Sequence, residues 1–132
     1  MQVVKLYLVT LGAFFLVDMI WLGLVARKFY REQLGYMMRS PINWPAALIF
    51  YFLFVAGIVY FVVFPALARD SWAFALFAGA FFGLVTYATY DLTNLATLKN
   101  WPLKMTLVDL AWGAVLSGIL STIGYLYGTR LF

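Results

Sequence analysis

From Asn43 to Ala68 the chain runs without a single formally charged side chain, and that stretch limits the folds open to it. About 20 apolar helical residues cross the hydrocarbon core of a bilayer, at roughly 1.5 Å of rise each. The run exceeds that length. It also lacks the polar stripe with which a soluble helix meets water. Asn43-Trp44-Pro45 opens it with a cap residue, an interfacial aromatic and a Pro in the first turn, and Pro65 and Arg69-Asp70 close it.

Three further stretches share this character. The first covers about residues 4–26, with Asp18 the single charge between residues 6 and 26 and Arg27-Lys28 as its basic stop. A cleaved signal peptide fits this stretch poorly, because Asp18 and Trp21 interrupt what would be a purely apolar region and no small-x-small site follows. The third span covers about residues 72–95 and is uncharged until Asp91, and the fourth covers about 103–127 with Lys104 and Asp109 near its start. The expected fold is therefore all-α, an integral-membrane four-helix bundle forming one transmembrane domain over residues 1–132. Segment two opens on Asn43-Trp44-Pro45 and segment four on Asn100-Trp101-Pro102, each after a segment holding an Asp (Asp18, Asp91). That echo fits two tandem helical hairpins; it fits equally a shared preference of Trp and Pro for interfacial helix starts.

Composition excludes several classes of function. The chain is 66% hydrophobic and only 11% charged, too little polar surface for a soluble globule. A net charge of +4 carried by so few groups fits anchoring at a membrane surface, with no basic stripe for nucleic acid. With no Cys and no His, thiolate nucleophiles, imidazole bases and ordinary zinc sites are excluded, and no cofactor is expected. Residues 27–43 mix bases with Phe, Tyr, Leu and Met, as suits a connector lying at the headgroups. Counting bases places Arg27, Lys28, Arg31, Arg39, Lys99 and Lys104 on one side, against Lys5, Arg69 and Arg130 on the other. The positive-inside bias then predicts cytoplasmic connectors and external termini.

Against this background the acids stand out. Helical rise puts Asp18 roughly 13 Å inside Arg27, Asp91 at most about 12 Å inside Lys99 and Asp109 about 8 Å inside Lys104. A charge near the bilayer centre costs at least ~2.5 kcal/mol, so such residues face the bundle interior and pair with something. Each is followed at i+3 by a potential donor on the same face: Trp21, Asn94 and Trp112. At about 100° per residue, Ala75, Gly79, Gly83, Thr86, Tyr90, Thr93, Asn94 and Thr97 share one face of the third segment, with Asp91 at its edge. That face is expected to look inward, its small residues admitting a neighbouring helix and its hydroxyls bonding across to it. Thr106, Gly113, Ser117 and Gly124 make a weaker stripe of the same kind on segment four.

The run Tyr90-Asp91-Leu92-Thr93-Asn94-Leu95-Ala96-Thr97-Leu98, followed by Trp101-Pro102, Val108-Asp109 and Trp112-Gly113, with Val17-Asp18 and Trp21 in the first segment, resembles the small bacterial membrane proteins grouped as domain-of-unknown-function family 2177. The resemblance spans nearly the whole chain. It implies a multi-pass inner-membrane protein with no assigned activity, and by association a connection with cyclopropane-fatty-acid-synthase-like and other lipid-modifying enzymes.

The residues themselves support three readings. One is a binder of a membrane lipid or hydrophobic small molecule, which the resemblance would make an accessory to lipid modification. Its ligand would meet Asp18, Trp21, Asp91, Asn94, Asp109 and Trp112, while Arg27, Lys28, Lys99 and Lys104 take a phosphate headgroup at the rim. A second is a proton-coupled or cation-selective transporter, which at this length requires a homo-oligomer to line a path. A third is a lipid enzyme using Mg²⁺ held by two carboxylates and Asn. The same Asp, Asn and Trp contacts would also serve simply to lock helices together.

Overall fold

The computed structural model describes residues 1–38 and 42–132; Arg39, counted above among the connector bases, lies outside the described residues. Helix α1 (Gln2–Ile20) continues through a π-helical turn, Trp21–Val25, and after Ala26 the chain enters the short helix α2 (Arg27–Leu34). Helix α3 (Trp44–Ile58) passes through a second π-helical turn, Val59–Val63, into α4 (Phe64–Arg69), and α5 (Trp72–Thr97) and α6 (Leu103–Leu131) complete the chain. Among the described residues, four continuous helical stretches are long and apolar enough to cross a membrane: Gln2–Val25, Trp44–Arg69, Trp72–Thr97 and Leu103–Leu131. The protein is an all-α four-helix bundle. The last three run two to four residues further than the sequence predicts; in the second and fourth, Arg69 and Arg130 join the final turn, where a cation meets the negative end of the helix dipole.

Local chemistry explains the starts and breaks. The Asn43 side chain accepts a hydrogen bond from the Ala46 amide at 3.4 Å, and Ser71 does the same for Phe74 at 3.0 Å, each satisfying one orphan amide of a helix N-terminus. Pro65 has no N–H to offer the carbonyl four residues earlier, and the π-helical turn lies directly before it. The two Asn-Trp-Pro starts differ in structure. Asn43 caps its helix and Trp44 is half exposed, whereas Asn100 takes a positive φ of 63°, Pro102 precedes the first turn and Trp101 is buried.

Helix α6 touches every other helix, and much of the core gathers on it. Leu116 and Leu120 pack with Leu6 and Phe14 of α1 and with Phe54, Val55 and Ile58 of α3. The opposite sides of the helices leave Leu8, Leu16, Phe61, Phe77 and Phe81 exposed, which is the surface a hydrocarbon solvent requires. The closest approach is between α5 and α6. A Cβ added at Gly83 would fall on the carbonyl of Gly113, and one at Gly79 on the side chain of Ser121.

This contact corrects the expected inward face of α5. Its buried residues are Ala75, Gly79, Gly83 and Asp91, a row in steps of four in which Asp91 is the inner terminus and fully buried, while Tyr90, Thr93 and Thr97 are exposed. The reason is that packed helices follow the inclined i±4 ridges, which swing away from the straight stripe drawn parallel to the axis. Nor do the hydroxyls bond across: Thr86 donates to Phe82 O at 2.9 Å and Thr97 to Thr93 O at 2.8 Å. A threonine hydroxyl can satisfy itself on its own helix.

Candidate functional site

The π-helical turn that ends the first span turns Trp21 onto α6, where its indole stacks on that of Trp112 with centroids 4.3 Å apart and planes 7° from parallel. Each indole N–H then takes a different route. Trp112 donates to Asp18 Oδ1 at 3.4 Å, and Trp21 donates to the hydroxyl of Tyr30 at 3.3 Å. Tyr30 in turn donates to Asp109 Oδ1 at 2.7 Å, the short distance expected when a phenol meets a carboxylate. Helices α1, α2 and α6 are thus joined by two hydrogen-bonded branches hung on one aromatic stack. Burial, and then the adjacent Asp109 carboxylate, push the Tyr30 phenol pKa above its ordinary value, so its proton stays available to donate.

Beside this network lies a cavity of about 530 Å³. Its polar groups are the carboxyls of Asp18 and Asp109, the hydroxyl of Thr86 and the phenols of Tyr30, Tyr51, Tyr87 and Tyr90; Trp21, Trp112, Phe50, Met105 and Leu34 supply apolar wall. The size falls in the range of small-molecule sites, and the mixture of broad apolar surface with a few convergent polar groups is typical of them.

Of the residues singled out from the sequence, Asp18, Trp21, Asp109 and Trp112 line this cavity. Asp91 does not. It is fully buried behind the wall, close enough to Asp109 for their carboxyls to interact electrostatically, and neither of its oxygens has a hydrogen-bond partner among the described residues. Asn94 is half-buried and does not reach the cavity. The bases Arg27, Lys28, Lys99 and Lys104 are all exposed. Lys28 pairs with Glu32 at 3.9 Å, and the Lys104 ammonium lies 5.9 Å from the centre of the Phe29 ring. Tyr36 donates to the Asn100 carbonyl at 2.7 Å, so the two connectors meet at the same end of the bundle, above the cavity.

Among the lining residues that escaped the sequence reading are Tyr30, Tyr51, Tyr87 and Met105. Tyr30 sits in a basic connector that reads as interfacial, and Tyr51 lies in the charge-free run, where one Tyr among many Phe carries no signal. Tyr87 had a clue, since it falls between Gly83 and Asp91 in the row of fours, and Met105 reads as ordinary core filler.

The family model described as Predicted membrane protein (DUF2177) matches residues 3–126. No curated protein and no solved structure matches the chain. With a match that covers nearly its whole length and takes in part or all of each of the four apolar spans found among the described residues, the chain belongs to the DUF2177 family of predicted membrane proteins.

Proposed function

We propose that the protein binds an amphiphile, a membrane lipid or hydrophobic metabolite, in the cavity between α1, α2, α3, α5 and α6. The single observation behind this reading is the cavity's construction: about 530 Å³ walled largely by aromatic and aliphatic side chains, with Asp18 and Asp109 among its few polar groups. An apolar chain would gain roughly 25 cal/mol for each Å² of surface removed from water, and the polar groups would orient its head. The exposed bases Arg27, Lys28, Lys99 and Lys104 flank the same end and suit contact with anionic headgroups, on a face we assign to the cytoplasm of an inner membrane. Such a binder would act as an accessory to enzymes that modify membrane lipids.

Native mass spectrometry of the protein released from mild detergent tests this reading. Wild type should retain an amphiphile, and Ala47→Trp, which projects an indole into the cavity from α3, should lose it. Retention by neither protein, or equally by both, would sink the proposal.

A second reading, a small cation or proton-coupled transporter working as an oligomer, draws on one observation: three carboxyls lie within the spans, and Asp91 among them is buried without a partner. Flux in vesicles under a pH gradient decides it, since flux unchanged in Asp18→Asn, Asp91→Asn and Asp109→Asn would remove the acids as carriers.

A further inference from the structure

The charge balance of the cavity is one-sided. Asp18 and Asp109 line it, Asp91 lies just behind Asp109, and no lining residue is basic. Among the described residues the one ion pair is Lys28 with Glu32, so none of these three carboxyls has a counter-ion within the described protein. Two of the nearby donors are committed, and the phenols of Tyr51, Tyr87 and Tyr90 that share the cavity carry no positive charge. The Trp112 N–H is committed to Asp18 Oδ1, and the Tyr30 hydroxyl to Asp109 Oδ1. The second oxygen of Asp18, a residue only 5% exposed, accepts from no described residue, and Asp109 has the Asp91 carboxyl beside it. A carboxylate in such surroundings that lacks a cation is costly; it is relieved by a proton or by a cation, and a cation entering this cavity has to come with the ligand.

The walls narrow the class of cation. Rings of Tyr51, Tyr87, Tyr90 and the Trp21–Trp112 stack surround the carboxyls, and the negative faces of such rings attract organic cations. A hydrated inorganic ion would make no use of the apolar wall. An anionic head would meet two carboxylates with no Lys or Arg to offset them.

Resting on the reading of this cavity as an amphiphile site, we infer that the ligand's head is an organic ammonium, held by Asp18 and Asp109 with its hydrocarbon chain along the aromatic wall. The head belongs either to a membrane-dissolved amine or to an aminated phospholipid. The bases outside and acids inside suit the former, because a phospholipid in the bilayer carries its amine on the water side of its phosphate.

The test uses full-length protein in phosphatidylglycerol nanodiscs titrated with three ten-carbon probes, decyltrimethylammonium, decanol and decanoate, followed by tryptophan fluorescence. Ala47→Trp serves as the blocked control that subtracts adsorption to the bilayer. The expected result is that decyltrimethylammonium binds about tenfold or more tightly than either other probe, and that Asp18→Asn and Asp109→Asn each weaken it by a similar factor, the size of one charge-assisted contact. Should a variant fail to fold, the comparison of probe charge on wild type remains decisive. Equal binding of all three probes, abolished by Ala47→Trp, would overturn the ammonium while leaving the amphiphile site standing. No blockable binding of any probe would overturn both. Once the ammonium is supported, adding phosphatidylethanolamine to the discs separates the sources: competition with the probe identifies the lipid headgroup, and its absence identifies a dissolved amine.

Discussion

Trp21 and Trp112 lie 91 positions apart in the chain and stack nearly parallel at 4.3 Å, yet their N–H groups serve different carboxylates. Trp112 bonds Asp18 directly, and Trp21 reaches Asp109 only through Tyr30. The stack is therefore the joint of the site, and its removal should be visible spectroscopically. Indoles in face-to-face contact couple their transitions, and a rotation of one ring against the other about the stacking axis gives the far-ultraviolet circular dichroism an exciton couplet. Trp21→Leu and Trp112→Leu should each abolish the whole couplet, while Trp44→Leu, at a half-exposed position, leaves it intact.

Tyr30 ties α2 to the bundle by one bond given and one received. Tyr30→Phe keeps the ring and loses both. In bilayers such bonds contribute about 0.6 to 2 kcal/mol each, so a lowered thermal midpoint in detergent is expected, together with faster proteolysis near residues 27–38. An unchanged midpoint and unchanged cleavage would show that packing of the ring alone holds α2.

The raised pKa of the Tyr30 phenol sets the direction of an alkaline effect. Its folded-state pKa lies above the unfolded value of about 10, so the folded protein holds this proton more tightly. The stabilisation is complete below pH 10 and is lost as pH rises beyond it through the folded value. The difference in stability between wild type and Tyr30→Phe should hence be constant from pH 7 to about 9.5 and shrink above it. A difference that grows with alkalinity would contradict the sign.

The α5–α6 contact depends on the absence of a side chain. Gly83→Ala drives a methyl group onto the Gly113 carbonyl, and overpacking of this kind costs roughly 1–3 kcal/mol. Gly12→Ala has nothing within 4 Å of the new atom and should be neutral, or stabilising by the ordinary Ala preference of about 0.5–1 kcal/mol. Thermal melts of the two variants side by side distinguish a packing requirement from a general intolerance of substitution in the spans.

Asp91 is fully buried with no hydrogen-bond partner among the described residues. Replacing a buried carboxyl that lacks a partner by a neutral group is expected to be neutral or stabilising. Asp91→Asn should melt at or above the wild-type temperature, and a loss of more than about 1 kcal/mol would show that the neighbouring Asp109 carboxyl holds Asp91 in place.

The number, length and order of the spans follow from sequence alone, because in hydrocarbon every backbone polar group has to be satisfied within its own segment, and only long apolar helices do that. The run from Asn43 to Ala68, the Trp and Pro at the starts and the bases at the ends are local signals. The positions of Asp18 and Asp109 along their helices were legible for the same reason, since distance along a helix is a linear count. What the sequence could not decide is direction around the axis and partner across space. Asp91 and Asn94 read as one polar patch, yet the inclined ridge against α6 carries Asp91 fully inside and leaves Asn94 half-buried, away from the cavity. Tyr30 read as interfacial, yet the turn after Ala26 folds it back between Trp21 and Asp109. Ridge packing and chain reversal depend on side chains far away in the sequence, and these contacts built the cavity and its aromatic stack.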